Sequence, residues 1–139
     1  MPQALSRAAA AVLEHLIKGL EVGGATKFNN APRLFMAVCV DRLSSRHYSV
    51  AHYYEQNGDL MADPDMTFYR TEDGQFYPCS FQQDNLAFYQ ESLEIREDGT
   101  IVSLNQREQA SQADFANTWM RNIADQQQLP FSFPENDDV

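Results

Sequence analysis

The sequence predicts an α+β protein in which an antiparallel sheet of about five strands is covered on one face by an N-terminal and a C-terminal helix. Apolar residues recur every three or four positions near both chain ends, which is the spacing of one helix face. Between the ends the spacing shortens to two, and short polar turns separate the alternating runs. With 139 residues, the chain suits a single domain with one core.

Both predicted helices are defined by an apolar stripe. The first covers residues 5–20, is rich in alanine and ends at Gly23-Gly24, because glycine tolerates the left-handed conformation that closes a helix. The second begins near Ser111, which forms a capping pair with Asp114. We expect its buried face to consist of Phe115, Trp119, Met120 and Ile123.

Alternating runs between the helices predict the strands. Residues 34–43 are apolar on both faces, which is typical of a central strand, and a serine pair leads by a tight turn into a strand at 46–55. Asn57-Gly58 accepts positive φ at two successive positions and predicts that the chain folds back there. Further strands are predicted at residues 66–70, 76–82, 86–97 and 100–104.

Prolines shape two of the connections. Pro64 fixes its own φ and pushes Asp63 out of the helical region, so residues 59–65 are expected to form an ordered turn. Pro78 confines its strand to a sheet edge or a bulge because it has no N–H group to donate. Residues 26–33 are expected to form a loop.

The chain is expected to form one domain over residues 1–130, followed by an acidic and flexible tail at 131–139. No run of about 18 apolar residues is present, so we expect no membrane partner. The N-terminal apolar segment carries Glu14 and Lys18, which the core of a secretory signal would exclude, and we therefore expect a cytoplasmic protein. The two cysteines lack metal-binding spacing and are expected to be buried free thiols.

Charge is distributed unevenly along the chain. There are 10 basic and 20 acidic residues, a net charge of −10, and residues 49–104 alone hold two basic and eleven acidic residues. This balance argues against direct nucleic-acid binding, which needs a basic footprint to displace counterions from phosphates. It favours either a cationic partner or a role in solubility alone.

One alternative is an enzyme whose site lies in the middle of the chain. Nitrogen and oxygen ligands for Mg²⁺, Mn²⁺ or Zn²⁺ are offered there by His52, Asp59, Asp63 and Asp65. Glu55 would then be the general base of a metal-dependent hydrolase or nuclease. The spacing matches no HExxH or EF-hand signature, and aspartates that bond backbone amides in turns explain the same pattern.

A second alternative is a binding surface, because aromatic residues gather in the same predicted hairpins. They are Tyr48, Tyr53, Tyr54, Phe68, Tyr69, Phe76 and Tyr77. Tyrosine buries area while keeping a polar tip, which suits interfaces as well as sheet cores. An acidic, aromatic sheet face would fit a basic protein groove, and its carboxylates would imitate DNA phosphates. The same face would also serve a homodimer or an oligomeric scaffold.

Residues 51–69, AHYYEQNGDLMADPDMTFY, resemble the signature of an uncharacterised domain family found on bacterial plasmids, conjugative elements and phages. A weaker similarity lies in FYPCSFQQD at residues 76–84. The resemblance implies an origin in a bacterial mobile element and supplies no catalytic residue. Small acidic proteins of such elements often inhibit host defence systems, so it also raises an inhibitor of the anti-CRISPR or anti-restriction type.

These observations predict a binding protein that needs no cofactor and contacts a protein partner with a basic surface. The metal-dependent enzyme and the oligomeric scaffold remain the alternatives. The predicted binding surface consists of Tyr53, Tyr54, Glu55, Asn57, Asp59, Asp63 and Asp65.

Overall fold

The computed structural model describes residues 1–133 and confirms the α+β class. The helices are α1 (Arg7–Ile17) and α2 (Gln106–Gln126), and a 3₁₀ turn covers Asp84–Leu86. The strands are β1 (Ala25–Phe28), β2 (Val38–Arg42), β3 (His47–Gln56), β4 (Asp59–Arg70), β5 (Phe76–Gln83), β6 (Phe88–Glu91), β7 (Leu93–Ile95) and β8 (Ile101–Leu104).

Strands β1 to β6 form one sheet in chain order, and every neighbouring pair is antiparallel. Strands β7 and β8 form a separate two-stranded sheet. The main sheet therefore has six strands and not five. The added strand is β1, which overlaps the first part of the predicted loop at 26–33 and pairs with β2, so the loop prediction is wrong there. The predicted strand 86–97 divides into β6 and β7.

Both helices pack on one face of the main sheet, as predicted. Helix α1 contributes Val12, Leu13 and Leu16 to the core, and α2 contributes Ala116, Trp119, Met120 and Ile123. The sheet supplies Val38, Val40, Tyr48, Val50, Met66, Phe68 and Phe76. The prediction that Phe115 is a core residue is wrong, because this ring lies at the edge of the helix layer and is 40% exposed.

Helix α2 begins at Gln106, five residues before the predicted start at Ser111. Asn105 is the N-cap, and its side-chain oxygen accepts a hydrogen bond from the Glu108 backbone N–H at 3.0 Å. Asn105 and Glu108 have the spacing of a capping box, so the correct start signal lies six residues upstream of the pair Ser111 and Asp114.

The prediction of an ordered turn at residues 59–65 is wrong, because this segment is the first half of strand β4. The β3–β4 register shifts between Ala51 and Tyr53, so two residues of β4, Asp63 and Pro64, face a single residue of β3. Proline is accepted at such a bulge because its missing N–H removes no bond from the ladder.

The second sheet covers part of the opposite face of the main sheet. Leu93 and Ile95 of β7 pack there against Tyr69 and Cys79, with Tyr77 and Leu104 at the margin. Burial raises the pKa of the Cys79 thiol to about 12, so this cysteine is inert. Both cysteines are free; Cys79 is buried as predicted, whereas Cys39 is only half-buried.

The C-terminal segment of the described chain lies on the core. Phe131 and Phe133 are part-buried against it, and the Phe131 ring meets His15 edge to face at 5.6 Å. The remainder of the predicted tail, residues 134–139, lies outside the described residues. Neither helix within residues 1–133 has an apolar stretch long enough to cross a membrane.

Candidate functional site

The centre of the predicted binding surface is the distal half of the β3–β4 hairpin, residues 53–62, which we call the arm. Strand β2 pairs with β3 only as far as His52, and β5 pairs with β4 only from Asp65 onward. Beyond these points the described part of the chain supplies no third strand, and β3 and β4 continue as a two-stranded ribbon. The arm therefore extends about 15 Å past the sheet.

The arm ends in a two-residue turn at Asn57-Gly58. Both residues have positive φ, 54° and 86°, which is the type I′ geometry that matches the twist of a hairpin. The predicted reversal of the chain is confirmed here. Because Gln56 pairs directly with Asp59, the tip is a tight and well-defined end of the ribbon.

Exposed carboxylates and one large apolar side chain share the arm tip. Glu55, Asn57 and Asp59 are exposed, and Leu60, which pairs with Glu55 across the ribbon, is 71% exposed. Directly paired residues lie on the same face of a ribbon, so an apolar side chain stands beside a carboxylate. This combination suits a partner that has basic groups around an apolar contact.

The root of the arm is fixed by the segment that follows β5. The Ala62 N–H and the Gln82 side-chain amide both donate to the Asp84 carboxylate, each at 2.7 Å. These two bonds lower the pKa of Asp84 and keep it ionised. The Gln83 amide also donates to Asp63 at 2.9 Å. The direction in which the arm leaves the sheet is therefore set by hydrogen bonds to Ala62 and Asp63, the two residues that precede Pro64.

Asp65 lies on the sheet face away from the helices, beside Tyr53. Burial, followed by the negative charges of Asp41 and Asp84, raises its pKa to about 6. The Tyr53 hydroxyl bonds to the Asp65 carboxylate and opposes this rise, while Asp65 Oδ1 is buried with no partner among the described residues. The carboxyl group therefore changes its charge close to neutral pH.

The structure does not bring the four predicted metal ligands together. His52 points to the helix side, where its Nδ1 lies 3.0 Å from the Ala37 carbonyl and its ring meets Trp119 edge to face at 5.5 Å. Burial lowers the pKa of the His52 imidazole. Asp59 lies at the arm tip, Asp63 bonds to Gln83 and Asp65 occupies the opposite sheet face. Within residues 1–133, no group of three potential ligands has a metal-binding arrangement.

Sequence reasoning missed two carboxylates that act on Asp65, namely Asp41 and Asp84. Asp41 could have been found from the pairing register, since it faces Ser49 while Asp65 faces Ala51, two residues along the same side of β3. Asp84 follows the end of β5, and nothing in the local sequence places its side chain under the arm.

The fold and this surface define an α+β protein with a projecting acidic arm and a carboxylate-bearing sheet face. The chain belongs to the family described as a domain of unknown function, DUF6908, whose sequence model matches residues 8–129. This agrees with the expected membership of an uncharacterised domain family. The comparisons with curated proteins and with solved structures gave no match.

Proposed function

We propose that this chain is a non-enzymatic binding protein that docks its arm on a basic surface of a cytoplasmic protein partner. The observation that carries this proposal is that residues 53–62 form a ribbon without a third strand, with Glu55, Asn57 and Asp59 exposed at its end. A ribbon of this kind can enter a groove that a flat sheet face cannot. The binding needs no cofactor.

The recognition chemistry follows from the composition of the tip. Glu55 and Asp59 would pair with lysine or arginine side chains of the partner, and such charges chiefly steer the encounter and set its orientation. Leu60 would occupy an apolar contact between them, since desolvated apolar anchors supply most of the binding energy in an interface. Asp63 and Asp65 extend the negative surface toward the root of the arm, and Tyr53 and Tyr54 lie along the ribbon beside it.

The biological setting we propose is a bacterial mobile element or phage, and the partner a nucleic-acid-handling protein of a host defence system. The resemblance of residues 51–69 to an uncharacterised family of such elements supports this setting. The net charge of −10 supports it as well, because proteins that bind DNA or RNA present the basic grooves that an acidic ribbon would fill. In this role the arm would imitate phosphates and act as an anti-CRISPR or anti-restriction inhibitor.

The proposal is tested by affinity capture from a bacterial host lysate with three forms of the protein. They are the wild type, an arm variant with Glu55→Gln and Asp59→Asn, and a control variant with Asp114→Asn and Asp125→Asn on the exposed side of α2. Both variants lose two negative charges, so they differ only in where the charge is removed. We expect a basic partner that is retained by the wild type and the control and lost with the arm variant.

Two further results decide the matter. The retained complex should dissociate as salt is raised, because exposed charge pairs are screened. Capture of the same partners by the arm variant and the wild type, or a complex that is insensitive to salt, would contradict the proposal.

A further inference from the structure

The end of the sheet opposite the arm tip carries a groove. It lies between the β4–β5 turn and the β7–β8 turn and has a volume of about 840 Å³. Strand β3 runs the length of the sheet between the two ends, so the groove lies about 30 Å from Asn57-Gly58. It is therefore a separate surface from the arm.

The floor of the groove is aromatic and aliphatic. The rings of Tyr69 and Tyr77 stack with an interplanar angle of 18° and a centroid distance of 6.3 Å. Ile95 and Ile101 continue the floor along the second sheet, and Ile101 is 41% exposed. An extended chain laid in the groove would bury apolar side chains against these residues.

Carboxylates stand on both walls. Glu72 and Asp73 belong to the β4–β5 turn, and Glu97 and Asp98 belong to the β7–β8 turn. Among the lining residues that the structure describes, Arg46 is the single lysine or arginine. The groove is thus an apolar channel between two negatively charged turns.

The β7–β8 wall is held in place by hydrogen bonds from the main sheet. Glu97 accepts bonds from the Ser44 hydroxyl at 2.8 Å and from the Arg46 backbone N–H at 2.9 Å. The Tyr69 hydroxyl donates to the Glu97 carbonyl at 3.3 Å, and Asp98 accepts a bond from the Thr100 N–H at 2.9 Å. The carboxylates of this wall are therefore positioned before a ligand arrives, which reduces the entropy lost on binding.

We propose that this groove binds an extended basic peptide segment of a second protein. A lysine or arginine side chain would lie between the two acidic turns, and a neighbouring apolar side chain would rest on Tyr77 and Ile101. Charge complementarity selects this occupant, because Glu72, Asp73 and Asp98 line the walls against one arginine, while the fourth carboxylate, Glu97, is already paired with His47. The same charge disfavours nucleic acid, and a net charge of −10 disfavours the acidic surfaces of a second copy.

The test uses a short fluorescein-labelled peptide of alternating arginine and leucine, with binding followed by fluorescence anisotropy at low ionic strength. A groove variant with Glu72→Gln and Asp73→Asn should bind the probe about fivefold more weakly than the wild type, as expected for two partly screened pairs. Asp114→Asn with Asp125→Asn removes the same charge on α2 and should change binding less than twofold. Ile101→Ser should also weaken binding, because it removes apolar floor without a change of charge.

Other results would overturn the inference. Equal weakening by the groove and α2 variants would mean that the probe responds to net charge alone. If Glu55→Gln with Asp59→Asn abolishes binding and the groove variant binds normally, the probe binds to the arm and not to the groove. A dimer seen by sedimentation in the wild type and lost in the groove variant would assign the groove to self-association. The groove and α2 variants leave the arm unchanged, so the comparison between them reports on the groove even if the arm does not bind the partner proposed for it.

Discussion

At the scale of single residues, Asp65 is a carboxyl group whose protonation the fold changes in the range between about pH 4 and about pH 6. Its folded pKa of about 6 lies above the ordinary pKa of 3.8 for an aspartate, so the folded state favours the protonated form. Below both values the carboxyl group is neutral in either state, and above both it is ionised in either state. The contribution of Asp65 to stability therefore decreases as the pH rises from about 4 to about 6, and the ionised group is destabilising at higher pH.

Asp65→Asn should remove this pH dependence. A shift of about two pKa units corresponds to about 3 kcal/mol, and partial exposure of Asp65 reduces the expected gain to about 1–2 kcal/mol at about pH 8. Urea denaturation at about pH 4 and about pH 8 measures the free energy of unfolding. The value for the variant should exceed that of the wild type only at the higher pH.

Asp59→Asn is the matched control, because it removes a carboxylate from the exposed arm tip. In this variant the free energy of unfolding should change between the two pH values by the same amount as in the wild type. If the difference in stability between the wild type and Asp65→Asn is the same at both pH values, Asp65 ionises normally in the folded protein.

At the scale of secondary structure elements, the arm depends on its type I′ turn. Gly58 has a φ of 86°, a conformation in which a β-branched side chain is strained. Gly58→Val should destabilise the arm by about 1–2 kcal/mol. Hydrogen exchange of the amides within residues 53–62 is the direct measurement, because loss of the turn opens the ribbon while the main sheet stays closed.

Asn57→Gly is the companion variant, since glycine adopts the same positive φ of 54° without strain. It should protect the arm amides about as well as the wild type. Equal exchange in Gly58→Val and Asn57→Gly would mean that the turn does not determine the order of the arm.

The arm also shows what local sequence signals can and cannot predict. Alternation in β3 and the dipeptide Asn57-Gly58 act over a few residues, and both were sufficient to predict a strand and a reversal. The extent of β4 was not predictable, because Pro64 reads locally as a strand breaker. Only the offset pairing with β3, a long-range property, makes that position tolerant of proline.

Helix α2 depends on buried amide side chains that bond to other segments. Gln109 is fully buried; its oxygen accepts from the Gln3 N–H at 2.7 Å, and its nitrogen donates to the carbonyls of Gln3 and Pro78 at 2.9 and 3.2 Å. Asn117 accepts from the Ser6 N–H at 2.8 Å in the same way. These bonds fix the N-terminal segment to the helix.

Gln109→Leu should therefore destabilise the protein by about 2 kcal/mol, because buried backbone groups lose their partner while the side-chain volume is nearly kept. Thermal or urea unfolding measures the change. Gln126→Leu, at the half-buried end of α2, should have an effect of less than about 0.5 kcal/mol. Similar losses in both variants would mean that apolar substitution anywhere on α2, and not the lost bonds, is responsible.

The apolar stripe of α2 was predictable because it follows the helical period, and Trp119, Met120 and Ile123 are buried as expected. The burial of Gln109 and Asn117 could not be predicted in this way. Their residue types are typical of an exposed helix surface, and the backbone groups of Gln3 and Ser6 that they satisfy lie more than 100 positions away in the sequence. Burial of an amide is decided by that distant partner and not by its neighbours in the chain.

At the scale of the whole molecule, negative charge is concentrated at the two ends of the sheet. The arm tip carries Glu55 and Asp59, and the groove at the other end carries Glu72, Asp73 and Asp98. These five residues lie in turns or on the projecting ribbon, whereas Asp41, Asp63 and Asp65 lie within strands of the main sheet. Two ion pairs among the described residues, Glu14 with Arg70 and Glu97 with His47, offset part of this charge.

Repulsion among these charges should make the stability of the protein increase with salt. At about 0.15 M ionic strength the Debye length is about 8 Å, so repulsion between exposed carboxylates is screened more than the contact pairs are. We expect the thermal midpoint to rise by about 3 °C from very low salt to this value.

Neutralisation of Glu55, Asp59, Glu72 and Asp73 to their amides changes the net charge from −10 to −6. This variant should be more stable than the wild type at low salt and gain less from added salt. Sodium and choline chloride should act alike, because screening does not depend on the cation. A midpoint that falls with salt would show that the ion pairs outweigh the repulsion.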